Sequence, residues 1–292
     1  GLDWELLEGD MLAPVAGRRF DLVVCNPPFV IGDGGASYTY RDSGRVADGF
    51  CAELAAAAPD VLAPGGVLQF LANWPHVKGR DWTERVADWF DGAGCDVWAI
   101  QRDAVDPLDY VRHWQRDASE TGDPQSAADW LDWFDANDVE AIGFGIVSAR
   151  RVDSRDAEVT CEDLRHQVEP PFGERVAEWF AVGDALANLK PDDLLDARLR
   201  LADGVRLRQE ADLGDEGWEV DSQLLVAASG ARRVEEIDPL LAAFVGGCAG
   251  AVDVRTQLRL LAEAHGASQE LLAESFDPVL RQLIQQGFLR VV

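Results

Sequence analysis

Lysine is almost missing from this chain. It occurs only at Lys78 and Lys190, and every other cation is an arginine. Against 26 basic residues stand 53 acidic ones, a net charge of −27. A field of that sign repels phosphate backbones unless a local basic face overrides it, so the overall charge weighs against a nucleic-acid partner. Cysteine is sparse and scattered. Cys25, Cys51, Cys95, Cys161 and Cys248 are odd in number and contain no CxxC pair, which excludes a disulfide framework and reads as free, buried thiols. His76, His113, His166 and His265 are equally dispersed, so no metal site is expected. No stretch is long and apolar enough to span a bilayer, and no basic-then-apolar leader opens the chain. A soluble, cytoplasmic protein without a membrane partner is expected.

What is present is enough for two domains: 292 residues, 47% of them hydrophobic. The apolar run from Phe20 to Cys25, broken only by Asp21, reads as a buried strand ending at a turn signal. Asn26-Pro27-Pro28-Phe29 follows it. Each proline fixes φ and lacks an N–H, and Asn26 precedes a proline, so the tetrapeptide is stiff and extended. In open α/β sheets, ligands bind at the carboxyl ends of strands, which is where this segment falls. A rigid amide beside an aromatic ring suits gripping a planar, amino-bearing group.

Val23-Val24-Cys25-Asn26-Pro27-Pro28-Phe29 resembles the (N/D)PP(Y/F) motif of class I S-adenosylmethionine-dependent N-methyltransferases. That group includes adenine-N6 DNA methyltransferases, guanine-N2 and adenine-N6 RNA methyltransferases, and release-factor glutamine-N5 methyltransferases. The resemblance implies a Rossmann-like α/β sheet, S-adenosylmethionine as cofactor and a macromolecular substrate. It implies catalytic roles for Asn26, Pro27, Pro28 and Phe29. The Asn26 side-chain oxygen and the Pro27 carbonyl would accept the two target N–H groups, and Phe29 would stack on the target. Trp4 to Asp10 resembles the third strand of that fold and its following turn. Asp10 is then expected at the cofactor adenine, with Met11 and Leu12 beside it; the alternative is an ordinary Gly-Asp turn. Asn26 would also border the cofactor.

Only 25 residues precede Asn26, too few for the family's Gly-rich turn and ribose-binding acid. Gly32-Asp33-Gly34-Gly35 lies on the wrong side of the motif to replace them. The chain is therefore expected to be the carboxyl-terminal part of a longer enzyme, carrying strands three to seven of the sheet. A catalytically inactive scaffold that keeps the fold is the alternative. In relatives the loop corresponding to the polar stretch from Val30 to Arg45 covers the substrate, and Tyr38 and Tyr40 are candidates to stack on a planar substrate, with packing on the domain surface as the alternative. "Helix, Leu62-x-Pro64-Gly65-Gly66, strand" resembles the family's approach to its fifth strand. The strand Val67 to Leu71 is expected to end at Asn73-Trp74-Pro75, placing Trp74 at the substrate edge.

Asp81 and Glu84 resemble a capping box ahead of a helix, Asp96 to Ile100 reads as a strand, and Ala141 to Ala149 as the sheet's final strand. The Trp-rich stretch 104–138 between them reads as a helical insertion. A domain boundary is expected at 150/151, followed by an α+β domain over 151–292. Within Ala197 to Gln209, Arg198, Arg200, Arg206 and Arg208 alternate with apolar residues, suggesting one arginine-rich face; RNA contact or a solvated, acid-paired face would both suit it. Asp238-Pro239, Asp253, Ser268 and Asp277-Pro278 each open a helix. With the strand Phe288 to Val292, residues 237–292 resemble a winged-helix-like fold. The substrate class stays open between a nucleic-acid base, foremost in ribosomal RNA, and a release-factor glutamine.

Overall fold

In the computed structural model, residues 3–34, 44–117, 124–153, 156–166, 168–215 and 217–292 are described, and Phe20–Cys25 forms a strand, β1. It pairs in parallel with β2 (Leu62–Val77), in register from Leu22↔Val67 to Cys25↔Phe70. Parallel neighbours need a crossover, and α1 (Gly49–Val61) supplies it. After α2 (Trp82–Asp88) and β3 (Cys95–Val105), two helices, α3 (Pro107–Asp117) and α4 (Pro124–Ala136), precede β4 (Val139–Arg151) and β5 (Val159–Asp163). The sheet order is β1-β2-β4-β3-β5. β4 runs antiparallel to both of its neighbours, and β5 is parallel to β3.

Several expectations change. Residues 4–8 form no strand, and Trp4 and Leu6 are exposed, because no described strand lies beside them to supply a ladder. β1 is an edge strand rather than a buried one. Val23 and Cys25 pack on the core, whereas Leu22 and Val24, on the alternate positions, are 62% and 69% exposed. β4 is not the last strand, since β5 adds a fifth. Pro64 to Gly66 and Asn73 to Pro75 do not delimit β2; the strand runs through both. At Gly66 a Cβ would sit 2.6 Å from the Phe20 carbonyl oxygen, so only glycine lets β1 and β2 approach there.

Proline does not stop α1 either. Pro59 lies inside the helix, and the guanidinium of Arg151 donates from Nη1 to the carbonyls of Pro59 (3.1 Å) and Leu62 (3.0 Å), satisfying acceptors that a helix end leaves open. At the other end of α1, Asp48 is buried. Its carboxylate takes both arms of the Arg85 fork (Nε–Oδ2 and Nη2–Oδ1, each 2.6 Å) and the Trp89 indole N–H at 3.2 Å. The pair ties the start of α1 to α2.

The chain divides into Gly1–Arg165 and His166–Val292. The division falls after Arg165 rather than at 150/151 because β5 pairs with β3. The second unit contains α5 (Phe172–Asn188), α6 (Pro191–Asp196), β6 (Arg198–Leu201), β7 (Val205–Gly214), β8 (Gly217–Ala227), β9 (Val234–Glu236), α7 (Pro239–Gly246), β10 (Ala249–Asp253), α8 (Val254–His265), α9 (Gln269–Gln285) and β11 (Leu289–Val291). Its two sheets are ordered β10-β6-β11 and β7-β8-β9. Asp238, Asp253 and Ser268 cap their helices, accepting from the N–H of Leu241, Thr256 and Leu271. Asp277-Pro278 opens no new helix. α9 runs through Pro278 because Phe276, Leu280, Leu283 and Ile284 form one buried stripe across it, so packing overrides the breaker. Asp277 pairs instead with Arg281 at 2.8 Å. The sheet beside α8 and α9 takes β6 from outside 237–292. The four arginines do not share a face: Arg198 and Arg200 lie on β6, and Arg206 and Arg208 on β7, in different sheets.

Removing the Asp48 carboxylate strands the Arg85 charge and the Trp89 N–H. Asp48→Ala is expected to lower unfolding free energy by about 3–5 kcal/mol, read as a lower urea midpoint at unchanged slope.

Candidate active site

Beyond β1 the chain turns from exposed to buried within six residues. Asn26 is exposed, Pro27 buried, Pro28 and Phe29 half-buried, and Val30 and Ile31 fully buried. Neither the Asn26 side chain nor the Pro27 carbonyl has a hydrogen-bond partner among the described residues. Two polar acceptors therefore stand unengaged at the carboxyl end of β1.

The loop behind them is held by side chains. The Ile31 N–H donates to the Tyr110 hydroxyl at 2.8 Å, and the Ile31 carbonyl accepts from the Trp130 indole at 2.8 Å. Tyr110 lies on α3 and Trp130 on α4, so the inserted helices grip both backbone groups of one residue. Asn73, buried on β2, donates to the same hydroxyl at 3.1 Å, linking the loop to the adjacent strand. Burial pushes the Tyr110 phenol well above its usual pKa, so it stays neutral and able to accept both bonds. Val30, Ile31, Tyr110, Val111, Phe134 and Ile142 form one apolar cluster. Phe29 meets Trp114 edge-on at 6.3 Å, a favourable ring geometry. The Gly32 carbonyl accepts from Ala47 N–H at 2.8 Å.

Asp10 and Met11 are joined to this region through Arg45. Its Nη2 lies 3.3 Å from Asp10 Oδ2 and 3.8 Å from Met11 Sδ, and it also pairs with Glu53 of α1 at 3.1 Å. Hydrogen bonds donated to Glu53 and then to Asp10 raise the Arg45 pKa. Met11, Leu12, Cys25 and Phe29 all pack against the same core cluster. The structure thus brings the Asp10-Met11 turn and the tetrapeptide to one body of packed residues. Met11 has a positive φ of 47°, uncommon for a residue with a side chain.

Trp74 does not stand at a substrate edge. Its indole is fully buried, stacked on Trp82 at 5.1 Å, with Nε1 donating to Gln101 Oε1 at 3.1 Å. Gly143 and Gly145 on β4 make this possible, because a Cβ at either position would collide with the Trp74 ring. The glycine alternation around Phe144 was the signal for such a slot. Tyr38 and Tyr40 lie outside the described residues. Tyr110, Trp130 and Arg45 are the residues that sequence reasoning misses. Their partners lie 79, 99 and 35 residues away, and no local spacing marks them.

Among the described residues no group of three or more His, Cys, Asp or Glu could hold a metal ion, and no helix is long and apolar enough to cross a membrane. Burial pushes the Cys51 thiol up to about 12 and raises that of Cys25, so neither is a ready nucleophile.

Over 83 residues the sequence is 36% identical to ribosomal RNA small subunit methyltransferase C of Alcanivorax borkumensis. That stretch is 28% of this chain and 22% of the relative, so the chain spans about a fifth of the curated protein it matches. A family model described as a domain of unknown function (DUF7782) matches residues 177–291, which begin within α5. Among solved structures, phosphoethanolamine N-methyltransferase 2 of Haemonchus contortus with S-adenosyl-L-methionine is 14% identical, covering 46% of this chain and 34% of that one, with a TM-score of 0.23. PKMT2 from Rickettsia typhi with AdoHcy is 9% identical, covering 94% and 58%, with a TM-score of 0.27. Both likenesses are too slight to place any residue.

Tyr110→Phe leaves the Ile31 N–H and the Asn73 amide without their acceptor. It is expected to cost about 1–3 kcal/mol and to speed hydrogen exchange at the Ile31 amide, measured by NMR alongside urea unfolding.

Proposed function

We infer that the first unit is the target-holding part of an S-adenosylmethionine-dependent N-methyltransferase acting on a base amino group in ribosomal RNA. The observation that carries this is the pair of unengaged acceptors, Asn26 and the Pro27 carbonyl, on a loop fixed by Tyr110 and Trp130. The name of the Alcanivorax relative supports the substrate class.

An aromatic amino nitrogen is a poor nucleophile because its lone pair is delocalised into the ring. Two acceptors fixed in space orient its N–H groups and favour localisation of the lone pair as positive charge develops, which is positioning plus electrostatic stabilisation. The two prolines supply rigidity without any hydrogen bond of their own. Phe29 stacks on the planar target and excludes water from its face. After transfer the nitrogen gives up one proton, which leaves through the exposed Asn26 side to solvent; no strong base is needed. Tyr38 and Tyr40 are proposed to flank the target.

S-adenosylmethionine, when bound, supplies an electrophilic methyl group on a sulfonium. The donor set in this chain suits its adenine end: the Asp10 carboxylate as acceptor for an amino group, Met11 and Leu12 as apolar walls, and Asn26 as the border with the target. Arg45 already shares the Asp10 carboxylate, which orients it. The enzyme is proposed to work in the cytoplasm, where its substrate is.

The test uses the complete protein, labelled cofactor, and two acceptors offered in parallel: small-subunit ribosomal RNA and a glutamine-bearing release factor. Label is expected on the RNA. Asn26→Ala is expected to lower turnover by about 10²- to 10³-fold with cofactor affinity unchanged in equilibrium dialysis. Full turnover in that variant would overturn the assignment of Asn26, and label on the release factor alone would overturn the RNA reading.

A further inference from the structure

The second unit contains a cavity of about 460 Å³ between α5, the end of α9 and the strand β11. We propose that it is a binding site for a small monocarboxylate with an apolar body, such as an aliphatic acid, and this is independent of the methyl-transfer reading.

The size falls within the range of small-molecule sites, and so does the lining, mostly apolar with few polar groups. Trp179, Val182, Leu186, Leu189, Ile284 and Leu289 provide the apolar wall. Three arginines line it as well, Arg175, Arg232 and Arg290, against two acids, Glu178 and Asp203. In a chain of net charge −27 such a local excess of cations is unusual. Glu178 is already taken, lying 2.9 Å from Arg175 and 3.6 Å from Arg290, and Asp203 pairs with Arg200 at 3.3 Å. Arg232 makes no ion pair with a described residue. Arg175 and Arg290 share the Glu178 carboxylate, so Arg232 is the one lining arginine without an acid partner among the described residues, and a single ligand carboxylate would meet it.

The Arg232 backbone is also held in place, while the residue itself is exposed. Its φ is +52°, a conformation that costs an ordinary residue free energy and is kept only when the surroundings enforce it. They do so here. Glu169 bonds Gly230 twice, through its own N–H to the Gly230 carbonyl (3.0 Å) and through its carboxylate to the Gly230 N–H (3.1 Å). His166 donates to the Ala231 carbonyl at 2.6 Å, and the Arg232 N–H bonds the Ser229 carbonyl at 3.2 Å. A clamped loop with an unpaired guanidinium at the lip of an apolar cavity is preorganised for an anion. Gln286, which lines the same cavity, has a buried Oε1 with no hydrogen-bond partner. That atom can accept a hydrogen bond from a bridging water.

Decanoate is the probe, with decanamide as its uncharged counterpart, titrated calorimetrically into the full chain. Decanoate is expected to bind about tenfold more tightly than decanamide. Arg232→Asn suits the left-handed backbone better than arginine does, so the variant folds, and it is expected to abolish that tenfold preference. Ala185→Trp, on the cavity-lining face of α5, is expected to block both probes while the thermal midpoint stays within a few degrees. Failure of decanoate to bind, equal affinity for the two probes, or a preference that survives Arg232→Asn would each overturn the proposal.

Discussion

The Tyr110 hydroxyl takes hydrogen from the Ile31 backbone on one side and from the Asn73 amide on the other, in a place without solvent. Everything at the candidate site depends on that junction. Ile31 closes the segment that begins at Asn26, so fixing its backbone fixes the direction in which the two free acceptors stand. The tyrosine comes from an inserted helix and the asparagine from the neighbouring strand. An insertion that could pass for decoration on the sheet is therefore what immobilises the loop at the sheet's edge. The surrounding rings, Trp114, Trp130 and Phe134, keep water from competing for the shared oxygen.

The same chain uses guanidinium groups as internal fasteners. Arg151 closes the end of α1, Arg85 joins α1 to α2, and Arg150 pairs with Asp96 at 2.9 Å where both side chains are largely buried. In the second unit Arg281 donates to the carbonyls of Leu186 and Leu189 at the end of α5 while holding Asp277. Each of these places asks for two or three donors in a fixed plane, which arginine has and lysine does not. The scarcity of lysine and the failure of the arginines to form a basic face are then one fact. Several arginines are engaged in holding helix ends and buried acids, and the exposed Arg198, Arg200, Arg206 and Arg208 are split between two sheets.

Much of the local punctuation was legible. The stop after Cys25 and the caps at Asp238, Asp253 and Ser268 act through neighbours within a few residues, where side chain and backbone chemistry decide alone. Misreadings arose where distant partners decide. Pro278 sits inside a helix because burial on either side outweighs the broken bond. Trp74 reads as an edge aromatic until the two glycines on β4 are laid over it. Arg198 to Arg208 alternates like one strand, but the turn at Ala202 to Gly204 sends its halves to different sheets. Trp4 to Leu7 has the composition of a strand and no described neighbour to make it one. At the site itself, the stiffness of Asn26 to Phe29 follows from the prolines, whereas its anchoring by Tyr110 and Trp130 spans most of the first unit.

β4 pairs with β2 on one edge and β3 on the other, yet it follows both in the chain. Val67 finds its partner at Arg150 and Cys95 finds its at Arg151. During synthesis the middle of the sheet therefore cannot close until the last of these residues has left the ribosome. Until that moment two long strands carry open, apolar edges in water, the condition in which nascent chains adhere to one another. Contacts so distant along the chain also close slowly. Assembly of the first unit is thus gated by its penultimate strand, and holding by a chaperone over that interval would protect it from aggregation.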